Sequence, residues 1–443
     1  MSGYSQPAAK RQKVREMKDV DYFQGIDKIE YNNMAAATDT GVFRYYNSSE
    51  RVHARPMEDW LKCSVSLTEF RMNGTDKSRP WDNQTHTLDN HKRTVKALFD
   101  LLSKLGIKYW TAFDSDLVPC EGQGWEEGRA QWEEMVEFVN ELAQRYHVRL
   151  LWLAPDLHSN TRYASGALTS PDASTFIQAA SQIKRCIEMS QRMSAEHFLL
   201  WPARDGYDAI FQTDVAREIK LFAKLLKMTA EYKDRLNYRC QLLIMPYCGR
   251  KFDLSWQHRK RDVHSYMWDV TSCLYFLKSY NLERFYKVCS PPGHHMYMAN
   301  VYNMLGGVTV NNDFDHFNSK KLTLMMKSIV DQGAPPPAGI NLRLHRATDP
   351  RGVLTHYLKY VDALAKALRL ACNIVGEQVF NKHIQQRYIS YHSGLGSRLV
   401  GGEVSLEECE EYHKKNQNQP EPTSKCEHFD VVFQRYLDSC DHI

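Results

Sequence analysis

The stretch Val148-Arg149-Leu150-Leu151-Trp152-Leu153-Ala154-Pro155 decides how the chain is read. Its apolar run is short and ends at a proline, which suits a buried strand rather than a helix. The flanks behave differently. Before it, Arg129–Tyr146 sets Trp132, Met135, Val136, Val139 and Leu142 on one helical face; after it, Ala173–Met193 repeats Phe176, Ala179, Ala180 and Ile183 at helical spacing. A strand between two amphipathic helices is one link of a βα repeat.

Working outward, the same alternation predicts further strands at Cys63–Leu67, Ile107–Asp114, His197–Ala203, Arg239–Pro246, Phe285–Pro291, Gly307–Asn312 and Pro337–Leu344, eight in all. An α/β chain of eight strands, each followed by a helix, closes most naturally into a (β/α)8 TIM barrel. A doubly wound sheet would need a glycine-rich phosphate turn after an early strand, and the sequence has none. Asp214 and Ser319 are the expected N-caps of helices over Val215–Leu236 and Lys320–Val330, and the proline run at 335–337 is expected to end the helix before the last strand. An eighth helix is expected over Val353–Val375. The organisation is then a polar basic tail over 1–20, the barrel with its lead-in over 21–375, and a mostly helical extension over 376–443.

A length of 443 residues accommodates one barrel with an extension, or two ordinary domains. Hydrophobic residues at 43% and charged residues at 25% are enough to build a sizeable core. The net charge of +4 gives no electrostatic reason to expect nucleic acid or a membrane surface as a partner. No apolar run approaches the ~20 residues that cross a bilayer, and the N-terminus lacks a signal-peptide core, so a cytoplasmic location is expected. Lys10, Arg11, Lys13, Arg15 and Lys18 leave a nuclear-import signal as the alternative to a plain solvated tail. The 11 cysteines, with no C-x-x-C spacing, are expected to be reduced and buried, for example Cys186, Cys240 and Cys372.

Several short strings then add up. Tyr22-Phe23-Gln24-Gly25-Ile26, Met57-Glu58-Asp59, Arg79-Pro80-Trp81, Asn160-Thr161-Arg162-Tyr163, Trp201-Pro202-Ala203-Arg204-Asp205-Gly206-Tyr207-Asp208 and Ile384-Gln385-Gln386-Arg387-Tyr388 follow one another in the order of a known family. Across residues 22–406 the chain resembles the longer-chain class of xylose isomerases. The resemblance implies the barrel, a homotetramer in which the C-terminal extension embraces a neighbouring subunit, and aldose–ketose isomerisation of xylose or glucose. It also implies two divalent ions, magnesium, manganese or cobalt. A histidine paired with an aspartate would open the sugar ring, and a lysine with a metal-bound water would assist the hydride shift.

Carried over residue by residue, most of that chemistry is absent. The family's histidine falls at Phe113, while its aspartate partner remains as Asp114. Where the family has glutamate, proline and lysine, the chain has Met245, Pro246 and Tyr247. The glutamate that bridges both ions is Pro291, an aspartate falls near Val310 beside Asn311 and Asn312, and another aligns with Arg343. Hard divalent ions need several oxygen ligands, so the first metal site is not expected to survive. His294, Asp313 and Asp315 match the second site and could hold one Mg2+ or Mn2+; otherwise these acids pair with Arg343 or other cations. Asp114, Asp156 and Asp205 are further carboxylates near strand ends.

Between Pro246 and His264 the segment 248–263 is longer than the family's loop and carries Arg250, Lys251, Trp256, His258, Arg259, Lys260 and Arg261, which suits an acidic or phosphorylated partner or a plain solvated loop. Beside another barrel chemistry that would use Asp114, Asp156 and Asp205, two readings follow. One is a barrel that has lost isomerase activity and serves as an oligomeric scaffold, a sugar-binding module, or a subunit paired with another protein. The other is a divergent metal-dependent aldose–ketose isomerase.

Overall fold

The computed structural model describes residues 20–36, 38–71, 79–119, 125–247, 264–311, 318–344, 349–416 and 425–439. The tail over 1–19, the basic segment 248–263, and Asp313 and Asp315 lie outside the described residues.

Eight parallel strands close into a barrel: β1 (Cys63–Ser66), β2 (Tyr109–Phe113), β3 (Arg149–Ala154), β4 (His197–Leu200), β5 (Gln241–Ile244), β6 (Tyr286–Ser290), β7 (Leu305–Asn311) and β8 (Ile340–Arg343). Ile340 pairs with Cys63, joining the last strand to the first. The alternation of apolar runs and helices therefore does specify a TIM barrel. The strands end sooner than the apolar runs suggest. Pro155, Pro202, Pro246 and Pro291 stand just past the ends of β3 to β6, where a residue without an N–H cannot continue the ladder and turns the chain into the loops of the mouth.

The outer helices are α1 (Leu88–Leu105), α2 (Trp125–Tyr146), α3 (Ala173–Arg192), α4 (Val215–Arg235), α5 (Val270–Ser279), α6 (His294–Val301), α7 (Ser319–Asp331) and α8 (Pro350–Gly376). Asp214 caps α4 as expected, accepting from Arg217 N. Ser319 does not cap α7. Asn318 does, accepting from the backbone of Lys320 and Lys321, and Ser319 is already helical. Nor do the prolines end α7: Gly333, at φ +73°, takes the left-handed turn first and donates to Val330 O. Asp349 caps α8 with Pro350 in its first turn, three residues ahead of Val353.

Period-two alternation divides the strand side chains. Val65, Val288, Val308 and Leu342 face the helices in the outer core, while Phe113, Trp152, Leu199, Leu243, Met245 and Cys289 pack inside the barrel. Asn341 ties the polar part of the interior, its Oδ1 accepting from Ser64 Oγ at 3.2 Å and from Thr111 Oγ1 at 2.9 Å. The seam between β8 and β1 is tight at Gly339, whose φ is +54° and where a Cβ would lie 2.2 Å from Lys62 O. Gly339→Ala is therefore expected to cost about 2–4 kcal/mol, read as a lower denaturant midpoint with unchanged m-value. An unchanged midpoint would show that the seam opens freely.

After α8 come α9 (Val379–Arg387), α10 (Gly394–Val400) and α11 (Leu406–Lys415), none with a buried residue. The last helix, α12 (Cys426–Asp438), returns to the body: Phe433 is buried and Asp430 pairs with Lys320. The expectation for the thiols is corrected as well, on α8 and on the arm. Cys186 and Cys240 are buried, but Cys372 and Cys409 are only partly covered and Cys426 is exposed. No helix among the described residues is long and apolar enough to cross a membrane.

Candidate functional site

The C-terminal ends of the strands, where a barrel carries its working groups, are lined by described parts of the loops that follow β1, β2 and β3. Asp116 reaches back from the turn after β2 and accepts from Phe113 N at 2.9 Å and from Thr68 Oγ1 at 2.7 Å. Asp114 braces the neighbouring loop. Its Oδ1 accepts from the backbone N of Ser115 and Asp156, and its Oδ2 from Gln182 Nε2 at 2.8 Å. Burial, with the Asp156 charge nearby, pushes the Asp114 carboxyl up to about 7.

Asp156, after β3, accepts from Ser115 Oγ at 2.7 Å and from Ser159 N at 2.9 Å. Burial alone would raise its pKa, but His158 and these hydrogen bonds together hold it below the ordinary carboxylate value. His158 Nδ1 lies 3.0 Å from Asp156 Oδ1, off the line of a well-formed hydrogen bond, so the contact is electrostatic. The imidazole sits edge-on to Trp201, with ring centroids 4.4 Å apart, and to Phe113 at 5.2 Å. Burial lowers its pKa despite Asp156, and the positive fields of Arg343 and Arg204 lower it further.

On the other side of the mouth Arg343 pairs in register with Asn311 and donates from Nε to Glu69 Oε1 at 2.9 Å. Both members of this ion pair are largely buried. Arg79 donates to the carbonyl of Glu69 from the turn after β1. Met245 is buried in the interior cluster, and Tyr247 is half-buried with its ring 5.4 Å from Trp268. Pro291 is half-buried, and His294, the first residue of α6, is exposed.

A family model described as the XylA2 C-terminal domain matches residues 384–437. The xylose isomerase of Thermoanaerobacter pseudethanolicus is 28% identical over 447 residues, covering 94% of this chain and 99% of that one. The xylose isomerases of Thermoanaerobacterium saccharolyticum and Arabidopsis thaliana are each 27% identical, covering 94% of this chain and 99% and 90% of theirs. The chain is a xylose isomerase-like protein.

In this xylose isomerase-like barrel several expected site positions need correction. Val310 faces the outer core and not the mouth, so at the end of β7 the mouth position belongs to Asn311. Arg343 takes Glu69 as an ion-pair partner, an acid not foreseen from the sequence. Asp205 is not a mouth group: it is fully buried and its Oδ1 accepts from Ala167 N, Leu168 N, Thr169 N and Thr169 Oγ1. Asp114 is likewise turned to the loop backbone, although it adjoins Asp156. Among the described residues no group of three His, Cys, Asp or Glu side chains is placed to hold a metal ion. The residues at the first metal position do not fit a divalent ion, since they offer a thioether, an imino ring and a guanidinium. His158 was missed. Its only signal was Asp-x-His at the end of a strand, a pattern too short to interpret before the strand end was known.

Proposed function

We propose that this xylose isomerase-like protein, a member of the sugar isomerase and epimerase group, has given up aldose–ketose isomerisation and works as a sugar-binding subunit of an oligomer. The observation that carries the reading is the Arg343–Glu69 pair. It puts a neutralised cation where the first divalent ion would need anionic oxygens, and Met245 and Pro291 supply none. What supports sugar binding is the pair of polar groups left at the mouth, His158 with about a tenth of its side chain exposed and Asn311 at the end of β7.

The arm supports the oligomer. In one copy of the chain, Ile384, Tyr388, Ile389, Val400 and Leu406 are all exposed on helices that bury nothing, which suits a second copy as the missing cover. A tetramer is expected by sedimentation, falling to smaller species with Ile389→Glu and Leu406→Glu combined; a monomeric full chain would remove the oligomer from this reading.

Purified protein supplied with Mg2+ or Mn2+ should convert xylose, glucose and fructose no faster than the uncatalysed background. Calorimetry should show heat with xylose or xylitol, the same with and without magnesium. Metal-dependent turnover that disappears in Asp313→Ala would overturn the proposal in favour of a divergent isomerase with one ion held by His294, Asp313 and Asp315. If neither sugar gives heat, the sugar-binding part fails.

A further inference from the structure

The flank of the barrel at α4 carries a surface that belongs to neither the mouth nor the arm. Ile210 and Phe211 are 70% and 88% exposed. The turn Ile210–Gln212 leads directly into α4 and is closed by Gln212 N donating to Ala209 O and Thr213 N to Ile210 O, so two large apolar side chains stand in water on a fixed turn. Along the outer face of α4 the exposed residues Arg217, Lys220, Lys224 and Lys227 follow at helical spacing, a basic stripe about 15 Å long. Arg217 meets Asp214 and Lys227 meets Glu231, but both pairs are open to solvent and hold little of the charge. Lys220 and Lys224 have no ion-pair partner among the described residues. Glu218, the acid of the first turn, is buried and accepts from Tyr266 OH, so it is turned away from the stripe. On α5, which packs against α4 through Phe222 and Phe276, Tyr275 and Lys278 are exposed. The net charge of +4 averages over this concentration of one sign.

We propose that this flank docks on an anionic phospholipid membrane, with the α4 stripe against the headgroups and Ile210 and Phe211 inserted at their boundary with the acyl chains. Charge complementarity fixes the sign of the surface, and the apolar pair fixes its kind. An aliphatic side chain beside an aromatic one gains by entering hydrocarbon, whereas neither stacking on bases nor pairing with phosphates uses Ile210. Tyr275, on the neighbouring helix, then lies at headgroup level, where a ring with one polar end is favoured. Each cation held near such a surface contributes about fivefold to the partition, and the apolar pair at least about tenfold. Together they give reversible binding and fall far short of the permanent anchoring of a spanning helix. None of these residues lies at the mouth, so the proposal does not depend on sugar binding.

The test is flotation of the full-length protein with vesicles of phosphatidylcholine alone or mixed with phosphatidylserine. Wild-type protein should float with the mixed vesicles and not with the neutral ones, and the bound fraction should fall as salt is raised. Lys220→Glu combined with Lys224→Glu should lower the partition at least about 30-fold, since two attractions are lost and two repulsions gained. Ile210→Ser combined with Phe211→Ser should lower it about tenfold or more on the same vesicles. All four side chains are exposed, so unfolding temperature and sedimentation should match wild type; Lys→Gln and Phe211→Ala take their place if a variant unfolds early. No flotation with the mixed vesicles overturns the proposal. So does flotation that the serine variant retains in full while the glutamate variant loses it, because plain adsorption of charge would serve an acidic protein or a nucleic acid equally well. A change of oligomeric state in the glutamate variant, without flotation of the wild type, would assign the flank to contact between copies and overturn it as well.

Discussion

Arg343→Met should destabilise the protein by about 3 kcal/mol, the result of leaving Glu69 buried without its partner. Arg343 and Glu69 are about a tenth exposed, at 12% and 8% of their side-chain surface, so water cannot replace the lost contact. Arg79, which approaches from the turn after β1, offsets part of the cost. The value is read from denaturant midpoints for Arg343→Met, Glu69→Leu and the double variant. Coupling decides the matter: the double variant should recover most of the loss, because an apolar pair of similar volume can do as well as a buried ion pair. Simple addition of the two single losses would mean that the pair does not hold the mouth together. The same substitution removes one positive field from His158, so its titration, followed by NMR, should move upward.

Asp205 should respond in opposite ways to two substitutions. Asp205→Ala leaves four donors around residues 167–169 without an acceptor and is expected to cost at least about 3 kcal/mol. Asp205→Asn keeps an acceptor oxygen in the same place and removes only the charge. Burial lifts the Asp205 carboxyl to about 6, against the hydrogen bonds that lower it. A folded pKa above the unfolded one contributes stability that is complete below about pH 4 and is lost as pH rises through 6. Comparing pH 4 with pH 8, the contribution amounts to about 3 kcal/mol. Asp205→Asn should therefore gain relative to wild type as pH rises over that window, and match it best at pH 4. A difference between the two proteins that stays constant with pH would show that this carboxyl does not titrate where burial places it.

Both predictions concern residues whose roles were hard to assign from the chain alone. Arg343 was placed correctly at the end of the last strand, but its partner comes from the turn after the first strand, 274 residues away. Asp205 sits in a string shared with the family, Arg204-Asp205-Gly206-Tyr207, and a carboxylate beside a strand end invites a catalytic reading. Its hydrogen bonds to the loop after β3 are invisible until two successive βα loops lie side by side. His158 is similar: Asp156 is two residues away in sequence, but Phe113 and Trp201 arrive from strands on either side.

What the sequence determined by itself was the periodic part: eight strands, their helices, the helical extension and the kinship carried by short ordered strings. These follow from local rules, since a strand buried on both faces and a helix with one apolar face each leave their mark within about 20 residues. Only the tertiary structure decided which way Val310 points, that Gly333 ends α7, that Glu69 neutralises Arg343, and that an imidazole stands at the mouth. Those facts depend on register, where a shift of one residue turns a side chain from the interior to the outer core, and on contacts between strands distant in the chain.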